Sequence, residues 1–507
     1  MHARLASLLG LILTLTLPAH AARIDELLAR AEFKAAQPLA QKLLAKDSPT
    51  ADERAQLYAW LFDSDDLATL DRRLRVTLTG ADISAVDQQA AGRLALEARD
   101  FERAQAAFKQ AEALATSSAE RAAALKGQGQ IAYQKRDYDN AIKLEEASTA
   151  LKADADALLA QAETLIRLGR TADAITALER AIQLNPLHEQ AHYFLGNGYA
   201  RKNYSELKAQ NPAAFKQAMA LVHRASDAFD RGQYQAARRL SQQALLRCPQ
   251  LGRAHAVLAK ALEFERMAID VHRAAAEARF AAQAMPVVPG IEQYVSNWAS
   301  LSKRHQKRVA LSVAPWAAFI PILVEGGARH SIKPLGMLLS ETPEAKGLRD
   351  ARIDYDSRLW DDVRGMGGYN TVTGIEDVER SVFDRYNTVL HELTHQVHGV
   401  LTAEQSREIQ ELYRRAKERD VAAKSTGRSA FLSRYAGGSV WEYFAEGANS
   451  FESPRRDAFD HREIVRERLV EMDPELQALV RRLFTLKDTR ASLPVALVGA
   501  GDHALGE

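Results

Sequence analysis

The sequence predicts a mainly α protein: an N-terminal α-solenoid of stacked helix pairs, followed by an α+β domain with a small sheet. Three observations predict it. From about Arg23 to Ala284, apolar residues recur at helical spacing in an Ala-, Leu-, Gln- and Arg-rich background with few β-branched runs. After the breaker-rich stretch "AAQAMPVVPGIEQYV", β-branched and aromatic residues enter and the helical period is lost. At 507 residues the chain is too long for one hydrophobic core, so it should divide, with a boundary near residue 290.

The first element is a leader. Residues 1–21 place Arg4 before an apolar run from Leu5 to Leu17 and end in the small-x-small triplet Ala19-His20-Ala21, the pattern of a secretory signal peptide cleaved after Ala21. The run falls short of the ~20 residues that span a bilayer. No later segment reads as long and apolar enough, so no membrane span is expected after cleavage. Export, with the Ala and Arg richness of a GC-rich bacterial genome, points to the periplasm or the medium. Cys248 is the only cysteine, so no internal disulfide forms and stability must come from packing or metal. Lys+Arg (67) and Asp+Glu (66) nearly cancel, and no basic stripe is interleaved with aromatics, which argues against a nucleic-acid partner.

Residues 22–285 form the helical part. In "LLAQAETLIRLGRTADAITALERAIQLNP", Gly169, Ala174, Leu178, Ala181 and Pro186 stand at intervals echoed by Leu195, Gly196 and Tyr199, then by Gly232, Ala237, Ala244, Pro249, Leu258 and Ala259. Weaker echoes precede them at Gly92, Ala104, Phe108 and Ala111, and at Gly129 and Ala141. Small residues at these places let two helices approach, and a proline closes each unit. The pattern resembles the tetratricopeptide repeat, with a period near 34, over residues 85–265. The resemblance implies a solenoid whose concave face takes a protein partner. "NYSELKAQNPAAF" interrupts the array.

Residues 290–490 form the second domain, and 491–507 a Gly/Ala-rich flexible tail. "RVALSVAPWAAFIPILVEGG", "PLGMLLSE" and "RGMGGYNTVTG" read as short strands and turns. From Glu376 a helical pattern resumes and runs without proline through His398.

That helix carries His391, Glu392 and His395 as H-E-x-x-H. Residues four apart lie on one helix face about 6 Å apart, so the two imidazoles project as a clamp for a metal such as zinc. Glu392 stands where it can take a proton from water. His398 lies about 10.5 Å along the axis from His391, too far to share the ion, and reads as a supporting or surface histidine. A third ligand must come from elsewhere. Glu442 and Glu446, four apart after two glycines, are the candidates. Ser439-Val440-Trp441-Glu442 is also a capping-box sequence, which would commit Glu442 to a backbone N–H and leave Glu446 as the ligand.

"HELTH", "RYAGGSVWEYFAEG" and "WDDVRGMGGYNTVTG" together resemble the catalytic domain of the anthrax lethal factor-like metallopeptidases, a gluzincin group related to the Pro-Pro endopeptidases. The resemblance covers residues 355–455. It implies a zincin-like metallopeptidase domain binding one zinc ion per chain on His391, His395 and Glu442. Glu392 is then the general base, Tyr435 the hydrogen-bond donor to the oxyanion, and Glu446 a support that accepts the outer N–H of a ligand histidine. Helical repeats replace the toxin's delivery region here, so no particular substrate carries over.

The expected function is an exported zinc endopeptidase whose repeats recruit a peptide or protein substrate, or a partner. Zinc would bring the pKa of water from ~15.7 towards ~7. "GMGGYNTVTG" could hold an extended peptide by edge pairing. Two rivals stand beside this reading: a repeat scaffold of an envelope complex with a degenerate, non-hydrolytic domain, and an H-E-x-x-H helix that is purely structural. A thermolysin-like enzyme is disfavoured, because no N-E-x-x-S-D segment follows "HELTH" closely.

Overall fold

The computed structural model describes residues 23–196, 202–353, 358–383, 386–424 and 429–486. The expected leader, the tail and Tyr199 lie outside them. The described residues are mainly helical and fall into two compact units, Met1–Arg273 and Ala274–Glu507. The helix Arg273–Ala282, placed with the repeats by its composition, thus begins at the division and clusters with the second unit.

The first unit is a stack of helix hairpins. Ala85–Glu97 pairs with Phe101–Leu114, Ser118–Gln134 with Tyr138–Leu151, and Ala155–Arg167 with Thr171–Leu184. Each second helix completely buries a small residue in its first turn (Ala104, Ala141 and Ala174, then Ala237 in Tyr234–Arg247), which lets its partner's backbone close in. The hairpin corners share one geometry. The second residue after the first helix takes positive φ at Arg99 (58°), Arg136 (65°), Gly169 (73°) and Gly232 (70°). The next N–H then bonds back five residues: Asp100 N to Ala95 O, Asp137 N to Ala132 O and Arg170 N to Leu165 O at 2.9 Å each, and Gln233 N to Ala228 O at 2.8 Å. This is the Schellman closure, which satisfies carbonyls a helix end leaves orphaned. The same corner occurs at Ala31 (54°) and Asp65 (57°), where Glu32 N reaches Leu27 O and Asp66 N reaches Leu61 O. The helix-pair plan therefore extends ahead of residue 85, back to Ile24.

Within the array, Glu189–Gly196 packs on the preceding helix Thr171–Leu184 but takes its main partner from far along the chain, Gly252–Arg266. Three helices, Tyr204–Gln210, Pro212–Asp230 and Tyr234–Arg247, fill the interval. Contact is close: a β-carbon on Gly196 would lie 2.4 Å from the Ala256 backbone nitrogen. Matching places of the two helices carry His192 and His255, each with Nε2 3.0 Å from the carbonyl oxygen of a proline six residues earlier, Pro186 or Pro249.

The second unit has a two-stranded parallel sheet. β1 (Arg329–Lys333) runs beside β2 (Asn370–Gly374), in register from Arg329 with Asn370 to Lys333 with Gly374. β2 lies within "RGMGGYNTVTG" as expected, whereas β1 was not foreseen. "RVALSVAPWAAFIPILVEGG" is helical instead of extended: Lys303–Val313, a 3-10 stretch Ala314–Phe319, then Ile320–Glu325. Pro315 and Pro321 sit in first turns, where a missing N–H removes no bond. Val309, Val313, Trp316, Ile320 and Leu323 are all buried, and a helix buried on most sides loses the polar face that would reveal its period. By length and composition alone, the 23 residues Lys303–Glu325 would also suffice to cross a membrane, contrary to the sequence reading. Their 3-10 break and the burial of these side chains within the unit place them in its core. "PLGMLLSE" contributes a turn and a 3-10 helix, Leu339–Glu341. The run after Glu376 is not continuous: Ile375–Arg380 and Ser381–Phe383 end before a fresh helix starts at Thr388.

Candidate metal centre

Two helices build the site. Thr388–His398 begins where Asn387 accepts from Leu390 N at 3.2 Å, and it buries Val389, Leu390, Leu393 and Val397. Thr394 Oγ1 accepts from the Trp316 indole N–H at 2.8 Å. The Gln396 amide donates to Arg329 O at 3.1 Å and to Tyr369 O at 2.8 Å, tying the helix to the starts of β1 and β2. With one side so anchored, His391, Glu392 and His395 are left to the other. Val440–Glu452 is the second helix. Ser439 Oγ accepts from Glu442 N at 3.2 Å, so the hydroxyl caps the helix while the Glu442 carboxylate turns towards the histidines.

His391 Nε2, His395 Nε2 and Glu442 Oε2 form a triangle. Its edges are 3.1 Å between the nitrogens, 3.1 Å from His391 to the carboxylate and 3.5 Å from His395 to it. A tetrahedral ion with bonds of about 2.0–2.1 Å needs edges of about 3.3 Å. Among the described residues this is the one group of three His, Cys, Asp or Glu side chains able to converge on a metal. Glu442 Oε2 is buried and has no hydrogen-bond donor. A buried carboxylate oxygen facing two imidazoles without a donor fits a cation ligand better than a structural acceptor.

The other expected residues surround this triangle. Glu392 lies against the glycine turn before β2, where a β-carbon on Gly367 would stand 2.7 Å from Glu392 Oε2 and 3.7 Å from His395 Cδ2. A larger residue there would push the Glu392 carboxylate aside. The turn folds back, with Met366 and Val372 exchanging two backbone hydrogen bonds of 3.0 Å, so the β2 edge expected to take a peptide is already paired at Val372. Tyr435 is 58% exposed, its ring 6.0 Å from that of His391. Glu446 is buried, its Oε1 3.5 Å from His391 Nδ1. His398 is neither ligand nor surface group: it is buried against Trp441 and Phe444, at ring separations of 4.1 and 5.2 Å.

Tyr386, Gln396 and Gly367 were missed. Tyr386 stands between Glu446 and His391, its hydroxyl 2.5 Å from Glu446 Oε1 and 2.5 Å from His391 Nδ1. It precedes the helix, so no helical spacing marks it.

Burial and charge oppose each other throughout. Burial would lower His391, but the Glu442 carboxylate beside it and the charges of Glu392 and Glu446 hold it at about 9 without metal. Burial would raise Glu442, yet the two imidazoles facing it keep it well below the usual carboxylate range. Burial pushes Glu392 and Glu446 up, the neighbouring histidines countering in part. His398, desolvated and beside His395, falls to about 3 and is neutral at physiological pH.

Fold and site together define a helical-repeat protein with a candidate divalent-metal centre in its second unit. Residues 90–157 and 155–197 match family models described as tetratricopeptide repeat, and the first unit carries these repeats. Among solved structures the chain is similar to the APC/C hetero-tetramer Cut9–Hcn1, at 17% identity and a TM-score of 0.32, over 59% of this chain and 49% of that one. It is also similar to YrrB, a TPR protein with an unusual peptide-binding site, at 20% identity and a TM-score of 0.21, over 36% of this chain and 92% of that one. The chain thus spans about half the length of the first. No curated protein matches.

Proposed function

We propose that this protein is an exported zinc-dependent endopeptidase whose repeats bind its substrate or a partner protein. The observation that carries the reading is the His391–His395–Glu442 triangle, with the donorless Glu442 oxygen at one corner and Glu392 on the same helix. Two imidazoles and one carboxylate suit zinc, which when bound would supply Lewis acidity. Glu392 takes the proton of the attacking water as its oxygen bonds the scissile carbonyl carbon, and returns it to the amine as the C–N bond breaks. The Tyr435 hydroxyl donates to the oxygen that gains negative charge. The peptide lies along the glycine turn that crosses Glu392, since β2 itself is paired at Val372. The tetratricopeptide repeats favour protein or peptide binding by the first unit, and the leader-like residues 1–21 support export to the periplasm or medium.

The test is zinc content with peptide-library cleavage. About one zinc per chain is expected, with Glu392→Gln retaining the metal and losing about 10²–10⁴-fold in hydrolysis. Zinc without cleavage of any library peptide would favour the second reading, a scaffold with a degenerate metal domain, which the repeats themselves support.

A further inference from the structure

The polar groups that the proposed hydrolysis leaves unused gather behind His391. Tyr386 hydroxyl oxygen lies 2.5 Å from His391 Nδ1 and 2.5 Å from Glu446 Oε1, whereas Glu446 Oε1 is 3.5 Å from Nδ1, outside good hydrogen-bond range. The carboxylate therefore reaches the imidazole through the phenol. We infer that Tyr386 is the positioning residue that decides which nitrogen of His391 is offered to the metal.

Proton counting gives the direction. A phenol has one proton, and a carboxylate can only accept, so the Tyr386 O–H donates to Glu446. The phenol oxygen is then left to accept, and its partner must be a His391 Nδ1–H. A neutral imidazole carries a single ring proton, so Nε2 is bare, and Nε2 is the atom facing His395 and Glu442. Without the Glu446 acceptor, the same phenol proton would turn to Nδ1 and drive the ring proton to Nε2, the wrong side for a ligand. Glu446 thus acts on the metal site by orienting a hydroxyl. The inference rests on the proposed metal site for its consequence, but the choice of tautomer is a property of the metal-free protein.

The test uses the full chain and zinc alone, titrated against a competing chelator, with circular dichroism to confirm that each variant is folded. Tyr386→Phe keeps the ring and should weaken zinc binding about 10–100-fold. Glu446→Ala should weaken it at least as much, and Tyr386→Phe/Glu446→Ala should bind no more weakly than Glu446→Ala alone, because the misdirected donor is gone. Nitrogen-15 NMR of metal-free protein at alkaline pH, where the ring is neutral, should show His391 protonated at Nδ1, and at Nε2 in Glu446→Ala. Wild-type zinc affinity in Tyr386→Phe, additive losses in the double variant, or an unchanged tautomer in Glu446→Ala would each overturn the inference. A wild-type chain that takes up no zinc would instead remove the proposed enzyme, with the NMR arm still deciding the tautomer.

Discussion

Ser439 Oγ accepts the Glu442 N–H, one half of a capping box, while the Glu442 carboxylate that would complete the box faces the histidines instead. Spacing alone could not choose between Glu442 and Glu446, because a capping box and a ligand helix use the same residues at the same spacing; the family resemblance made the choice of Glu442. His391 and His395 were legible because i,i+4 spacing fixes a shared helix face whatever surrounds it. Tyr386 was not, since its role depends on Glu446, 60 positions away in the chain. Tyr435 is the residue whose exposure makes its role testable without unfolding anything. Tyr435→Phe should lower kcat by about 10²–10³-fold, the range for one oxyanion donor, and leave zinc content unchanged; equal loss of metal would point to a structural part instead.

In the helix pairs, packing decides which polar groups are tolerated. Glu145, on Tyr138–Leu151, is buried to 1% exposure; Oε1 accepts from Thr164 Oγ1 at 3.0 Å and Oε2 has no hydrogen-bond donor. Burial pushes its carboxyl from 4.5 up to about 8. A raised carboxyl favours the fold while protonated. Its contribution is complete below pH 4.5 and fades as pH rises through about 8, at roughly 1.4 kcal/mol per pH unit. Denaturant titrations across that window should show the decline, and Glu145→Gln, neutral at every pH, should flatten it. Gly196 tests the contact between Glu189–Gly196 and Gly252–Arg266. Alanine gains about 1 kcal/mol of helix propensity but drives a methyl into the Ala256 backbone, so a net loss of about 1–3 kcal/mol is expected in urea midpoints. Elements were legible where one face stayed polar, as in the repeats. "RVALSVAPWAAFIPILVEGG" was misread as short strands and turns because a continuous apolar run carries no period, and β1 was missed because "RHSIK" has no β-branched run and includes buried polar groups.

For the molecule as a whole, the division after Arg273 means that the candidate metal centre and the repeats belong to separate compact units. Calorimetry of the full chain should resolve this. A chelator is expected to lower one transition and leave the other in place; at zinc a hundredfold above its Kd the shift corresponds to about 2.7 kcal/mol. If both transitions move together, the two units unfold as one. The helical part was legible from residue 22, but its repeat spacing only from residue 85, because the earlier hairpins carry no glycine within their helices to mark a close crossing.

Those corners have an engineering use. Arg99 and Arg136 are exposed and hold a left-handed backbone that costs an L-residue roughly 1–2 kcal/mol, so each hairpin tip keeps a strain that glycine would relieve. Arg99→Gly should therefore raise the melting temperature without altering any buried contact. The same change at Arg136, with φ of 65°, should add a similar gain.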